Sequence, residues 1–150
     1  MIYAITGAGP RTGTSWTMSK ILEAGLPVHW TKALKIPDAG FDTWWTDLPE
    51  LNNVIVKVWP NHLSMANIGR MIVLRRDYET QVKSIRQQIR RERKAGFVIN
   101  DTPHELIEKC NWIISKQKIP YREYRTEELD DSIDEIIDWL SEPFEMKRTA

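Results

Sequence analysis

Short apolar runs alternate along the chain with stretches in which apolar residues return every three or four positions. Residues 1–5, Met-Ile-Tyr-Ala-Ile, form an apolar run suited to a buried parallel strand. From Thr14 the pattern turns helical, with Trp16, Met18, Ile21 and Leu22 among its apolar positions, and Gly25 supplies a stop after Ala24. Residues 26–30 read as a short second strand. Residues 31–52, with Lys32, Lys35, Pro37, Gly40, Trp44, Trp45 and Pro49, read as a long irregular loop with one helical turn near 42–48. Residues 54–59 form a strand, and a short helix over 62–67 follows Pro60. Met71 to Leu74 form the next strand. Asp77 reads as the N-cap of a helix from Tyr78 to Lys94, striped by Val82, Ile85 and Ile89. Gly96 ends it. Asp101 or Thr102 caps another helix, with Pro103 in its first turn, Glu105 near its third position and Leu106, Cys110, Ile113 and Ile114 on its core side. Residues 119–124 read as a last strand. Asp130 or Asp131 caps a final helix in which Ile133, Ile136, Ile137 and Leu140 recur at i, i+3, i+4, i+7.

Strands alternating with helices predict an α/β fold: a mostly parallel sheet of four to five strands in a three-layer α/β/α arrangement. In such sheets ligands sit beyond the carboxyl ends of the strands. At 150 residues one domain with a real core is expected. The formal net charge of zero gives no bulk pull toward nucleic acid or membrane, so an anionic ligand must be held by local charge. A single cysteine excludes an intrachain disulfide and a cysteine-rich metal site, and Cys110 reads as a small buried hydrophobe. No apolar run reaches membrane-spanning length, and the N-terminus lacks a basic region followed by an apolar core. A cytoplasmic protein is the resulting expectation. His29, His62 and His104 are scattered and show no metal-ligand spacing.

The chemistry concentrates between the first strand and the first helix. Residues 7–16 read Gly-Ala-Gly-Pro-Arg-Thr-Gly-Thr-Ser-Trp. A strand, a glycine-rich loop and a helix N-terminus together hold anions on backbone N–H groups. Glycines let backbone approach phosphate oxygens without an intervening Cβ. Arg11 adds a fixed positive fork, and Thr12, Thr14 and Ser15 add hydroxyls. An ATP-type loop requires Gly, four residues, then Gly-Lys-Ser/Thr. With Gly13 as the second glycine, Ala8 and Thr14 stand where that glycine and lysine would be. The dinucleotide fingerprint fails as well, because Gly7, Gly9 and Gly13 are one residue too widely spread. A polar turn capping a helix, with Trp16 in the core, would account for part of the pattern. It would not require an arginine, three hydroxyls and a glycine in one run.

Pro10-Arg11-Thr12-Gly13-Thr14-Ser15-Trp16 resembles the 5′-phosphosulfate loop of the sulfotransferases, Pro-Lys/Arg-Ser/Thr-Gly-Thr-Thr/Ser-Trp, at every position. In that family an arginine just after a strand and a serine eight residues later hold the donor's 3′-phosphate. Arg76 and Ser84 have this spacing, with Asp77 also matching and Tyr78 in place of the usual proline. A weaker likeness follows at Thr126-Glu127-Glu128-Leu129, where Thr126 stands at the position of an adenine-contacting tyrosine. The resemblance implies a P-loop-like fold. It implies 3′-phosphoadenosine 5′-phosphosulfate (PAPS) as donor, adenosine 3′,5′-bisphosphate (PAP) as product, and a hydroxyl or amine acceptor. Arg11 would stabilise charge on the bridging oxygen. Pro10, Thr12, Gly13, Thr14 and Ser15 would cradle the phosphosulfate, and Trp16 would stack on adenine.

Cytosolic members carry Lys-Thr-His after the third strand, the histidine serving as base. Here Lys57-Val58-Trp59 occupy those positions. Lys57 is therefore expected to act on the transferring group, with His62 the nearest alternative base and Asp42, Asp47 and Glu50 further candidates. The family's carboxyl-terminal Arg-Lys-Gly loop is not found. Two other readings stand beside this one: a non-catalytic module that binds nucleotide or a partner, and a nucleotide kinase-like protein. The cations of the 78–94 helix, Arg86, Arg90, Arg91, Arg93 and Lys94, form either a solvated face or a basic rim for an acidic acceptor.

Overall fold

The computed structural model describes residues 1–32 and 40–149. Lys35 and Pro37 of the expected long loop lie outside the described residues. In chain order the elements are β1 (Ile2–Gly7), α1 (Thr14–Glu23), β2 (Val28–His29), β3 (Ile55–Lys57), β4 (Ile68–Arg75), α2 (Tyr78–Lys94), α3 (Pro103–Ser115), β5 (Tyr121–Arg125) and α4 (Leu129–Thr149). Among the described residues, 3₁₀ turns interrupt the connections at Leu48–Glu50, Pro60–Met65 and Thr126–Glu128.

The strands form one all-parallel sheet in the order β2-β3-β1-β4-β5. β1 lies at its centre with every residue buried, as its unbroken apolar run requires. Successive side chains of a strand point to opposite faces, and β1 divides accordingly. Ile2 and Ala4 join Val56, Val58, Leu63, Met71, Val73 and Ile114 in one cluster. Tyr3 and Ile5 join Met18, Ile21, Ile55, Ile72, Leu129, Ile136 and Leu140 in the other. Helices α1 and α4 cover the second face, and α3 reaches the first through Ile114. Helix α2 packs on α3 through Val82, Ile85, Ile89 and Ile107. The β1-to-β2 crossover thus lies on one face and the β4-to-β5 crossover on the other. Steps in opposite directions along a parallel sheet must do so if their crossovers share one hand.

Most departures from the expected elements occur where a polar residue or a proline takes over. Strand β4 begins at Ile68, three residues before the apolar run, because Gly69 and Arg70 interrupt it. Arg70 turns away to the Trp139 carbonyl at 2.6 Å and to Glu142 at 2.7 Å. The turn expected over 62–67 spans Pro60–Met65, since Pro60 supplies the starting φ. The turn expected near 42–48 is displaced to Leu48–Glu50, Asp42 instead forming a strand-like bridge to Lys57. Neither Asp130 nor Asp131 caps the last helix. The 3₁₀ turn Thr126–Glu128 runs directly into it at the buried Leu129. The second strand is only Val28–His29, and the last begins at Tyr121, after Pro120. The caps of α2 and α3 match expectation. Asp77 accepts from the Thr80 N–H, and Thr102 and Glu105 form a reciprocal capping box. Among the described residues no helix is long and apolar enough to cross a membrane.

Candidate functional site

An all-parallel sheet brings the carboxyl ends of its strands to one edge. Gly7 pairs with Leu74, Ile5 with Lys57, and Arg75 with Arg125. The loop after β1, Lys57, Arg76 and Thr126 therefore meet at that edge, although more than a hundred positions separate the first from the last.

The loop adopts backbone conformations that few side chains permit. Gly9 and Gly13 have φ of 117° and 91°, and Arg11 itself lies in the left-handed region at 64°. A Cβ on Gly7 would fall 2.0 Å from Thr12 Oγ1, and one on Gly9 would fall 2.6 Å from Gln81 Nε2. Gly13 forms the N-cap of α1 without a side chain to satisfy the first turn, and that turn contains no acidic residue. The Thr17 N–H closes the helix onto the Gly13 carbonyl at 3.0 Å. Among the described residues no group accepts from the N–H groups of Thr14, Ser15 and Trp16. Thr12 is 1 % exposed, and among the described residues its Oγ1 has no hydrogen-bond partner. Open N–H groups at the positive end of a helix, a buried hydroxyl without a partner and a loop free of Cβ crowding suit an anion.

Two stretches far apart in sequence lock together here. Arg11 Nε donates to Ser84 Oγ at 3.0 Å, and Arg76 Nη1 donates to the Arg11 carbonyl at 3.1 Å. Arg11, Arg76 and Ser84 are all half-buried. Each arginine spends one of its five donors on these bonds. Thr126 Oγ1 closes the group from a third side. It lies 2.6 Å from the Thr12 carbonyl, with the Arg75 carbonyl at 3.2 Å as the other acceptor. The Glu127 carboxylate accepts from the Asp77 N–H at 2.7 Å, which ties this segment to the start of α2.

Gln81 was not singled out from sequence, yet it shapes the loop. It is 2 % exposed, and its amide donates to the Pro10 carbonyl at 2.8 Å and to the Ala8 carbonyl at 3.3 Å. The available signal was positional: Gln81 is a polar residue on the apolar stripe that continues through Ile85 and Ile89.

On the other side of α1, Lys57 is buried and fully engaged. Its ammonium lies 2.8 Å from Asp42 Oδ1, 3.0 Å from the Gly40 carbonyl and 3.2 Å from Ser15 Oγ. Ser15 also donates to Gly40 at 2.9 Å. The structure thus brings Lys57 to the first turn of α1 and reveals Asp42 as its counter-ion. His62 sits half-buried in the Pro60–Met65 turn. Among the described residues, no hydrogen bond or ion pair joins its side chain to the loop. Burial lowers its pKa, so the ring is neutral near pH 7. Trp16 is half-buried against the α1/α4 cluster, with Lys20 Nζ 5.6 Å from its ring centre. Asp47, another candidate base, accepts from Thr31 Oγ1 at 2.9 Å, and Glu50 is exposed.

A cavity of about 430 Å³ opens beside the loop, with Pro10 and Trp59 in its wall. The electrostatics around the arginines also bear on α2. The Asp77 carboxyl is held below its usual pKa by hydrogen bonds from Thr80, with Arg125 and Arg76 adding to the effect. Cys110, half-buried and free, is pushed up to about 11 by burial and remains a neutral thiol. No protein-family model matches the chain, and a search of curated proteins finds no match.

Proposed function

We propose that this protein is a small sulfotransferase on a three-layer, P-loop-like α/β/α fold, using PAPS as donor and a hydroxyl or amine compound as acceptor. The observation that carries this reading is the meeting of the two motif segments, with Arg11 bonded to Ser84 and Arg76 bonded to the Arg11 carbonyl. In the proposed complex the phosphosulfate lies across the N–H groups of Thr14, Ser15 and Trp16, with Pro10, Thr12 and Gly13 shaping the cradle. Arg76 and Ser84 hold the 3′-phosphate. A charge-assisted hydrogen bond of this kind contributes about 1.5–3 kcal/mol. Trp16 offers its open side to adenine, and such stacking contributes about 1–3 kcal/mol.

The transfer itself needs alignment and charge compensation. A lone pair on the acceptor oxygen or nitrogen attacks sulfur, and the bond from sulfur to the bridging oxygen breaks. PAP leaves with that electron pair, and Arg11 neutralises the growing charge. The acceptor's proton passes to a base. The neutral ring of His62 is in the protonation state this role needs. Lys57 lies at the end of α1 where the transferring group would sit, 3.2 Å from Ser15 Oγ. Its ion pair with Asp42 favours the second reading, a module that binds nucleotide without turnover, because a lysine held on three oxygens has less freedom to follow a reacting group. A cytoplasmic location is part of the proposal.

The test compares two variants by calorimetry and by transfer of labelled sulfate from PAPS. Arg76→Ala is expected to weaken PAP at least tenfold while leaving adenosine 5′-monophosphate within threefold. Arg11→Ala is expected to abolish transfer with PAP still binding measurably. Equal weakening of both nucleotides by Arg76→Ala contradicts the role given to Arg76.

A further inference from the structure

We propose that the 430 Å³ cavity beside the loop is the acceptor site, and that it takes a small neutral or cationic compound with an apolar body, not an anion. This rests on the sulfuryl-transfer reading above. Position is the first argument. Pro10 forms part of the cavity wall, and the next residue is Arg11. Trp59, two residues past Lys57, forms another part. A molecule lodged there borders both the donor loop and the end of β3. The volume falls at the small end of the range for small-molecule sites.

Chemistry is the second argument. Ile85 and Ile89 from α2, Ile99 from the connection and Leu106 from α3 supply the apolar part of the cavity wall. Within it Gln88 donates through Nε2 to Glu92 Oε1 at 3.0 Å, while its own Oε1 is buried and, among the described residues, without a partner. A buried acceptor of this kind calls for a donor, and a ligand hydroxyl or ammonium supplies one. Among the described residues the lining contains two carboxylates, Glu92 and Asp101, and no lysine or arginine. Asp101 is paired with Lys109 at 2.7 Å, so Glu92 does most to repel an anion. Lys83, Arg86 and Arg90 are exposed on α2, whereas the cavity-lining Ile85 and Ile89 of the same helix are buried. Arg93 is occupied on the Ile99 carbonyl at 2.9 Å.

The test uses the full chain saturated with PAP and three probes sharing one ring: p-cresol, tyramine and 4-hydroxyphenylacetate. Binding is read from isoleucine methyl shifts in NMR spectra. Tyramine and p-cresol are expected to shift the methyls of Ile85, Ile89 and Ile99, with 4-hydroxyphenylacetate at least tenfold weaker. Glu92→Gln should narrow the gap between tyramine and 4-hydroxyphenylacetate to under threefold. Equal or tighter binding of the anion overturns the proposal in favour of the basic rim, and so does binding that leaves these methyls unmoved. Absence of binding by all three probes also overturns it. Failure of PAP to bind is read separately, in the initial titration, and counts against the donor site rather than the cavity.

Discussion

Arg11 adopts a left-handed backbone at φ 64°, a conformation uncommon for residues other than glycine, asparagine and aspartate. Ser84 on its guanidinium and Arg76 on its carbonyl hold it there. At Gly7 a methyl group would fall 2.0 Å from Thr12 Oγ1 and 3.0 Å from the Gly9 carbonyl, so the loop must shift to admit it. Gly7→Ala is expected to cost about 1–3 kcal/mol in urea denaturation and to abolish PAP binding. Lys57 and Asp42, 7 % and 8 % exposed, pose a different question. Asp42→Ala strands a buried ammonium, and the expected loss is about 3–5 kcal/mol. The double variant Lys57→Met/Asp42→Leu should recover most of that stability. If it folds and binds PAP but fails to transfer sulfate, Lys57 acts in the chemistry; if it transfers normally, the pair serves only structure. Arg11, Arg76 and Ser84 stand out through the likeness of their runs to sulfotransferase motifs, each following a strand; an arginine and a serine eight residues apart carry no signal by themselves. Asp42 as partner to Lys57 was not legible, because an ion pair between distant residues depends on chain path rather than on pattern.

At the scale of elements, the starts of α2 and α3 were the most readable features. Thr102 and Glu105 cap each other at 3.2 and 3.4 Å, the reciprocal pair their three-residue spacing predicts. Thr102→Ala should cost about 1 kcal/mol and lower the melting temperature by a few degrees in circular dichroism. Helix α2 carries a pH-dependent cap. Hydrogen bonds to the Asp77 carboxylate lower its folded-state pKa below the unfolded value, and Glu127 is lowered by the N–H of Asp77. Both groups therefore add stability above their unfolded pKa values and lose it as pH falls through the depressed ones. Melting temperature should decline on acidification below about pH 4–5. Asp77→Asn, which still caps, should flatten part of that decline; an unchanged acid limb contradicts the role given to Asp77. Strand β4 and the start of α4 were harder to read. Arg70 looks like an interruption until Trp139 and Glu142 are seen to receive it, and Asp130 looks like a cap until Leu129 is found buried. In both places tertiary contacts outweigh local preference.

For the whole molecule, the five parallel strands bring three short stretches together at one edge of the sheet. The alternation of apolar runs and helical stripes was enough to expect the sheet and its helices. Strand order was not legible, because pairing of β1 with both β3 and β4 is decided by packing across the sheet. The cavity was also invisible in sequence, its wall being drawn from the loop, α2, α3 and the connection between the helices. The central claim is that the site at this edge recognises a nucleotide through its 3′-phosphate. Its most direct test is calorimetric titration of the unmodified chain with PAP beside ADP and ATP, each with and without Mg²⁺. The account predicts that PAP binds at least tenfold more tightly than either, with no change on adding the metal. Tighter binding of ATP in the presence of Mg²⁺, or binding of none of the three, would contradict it.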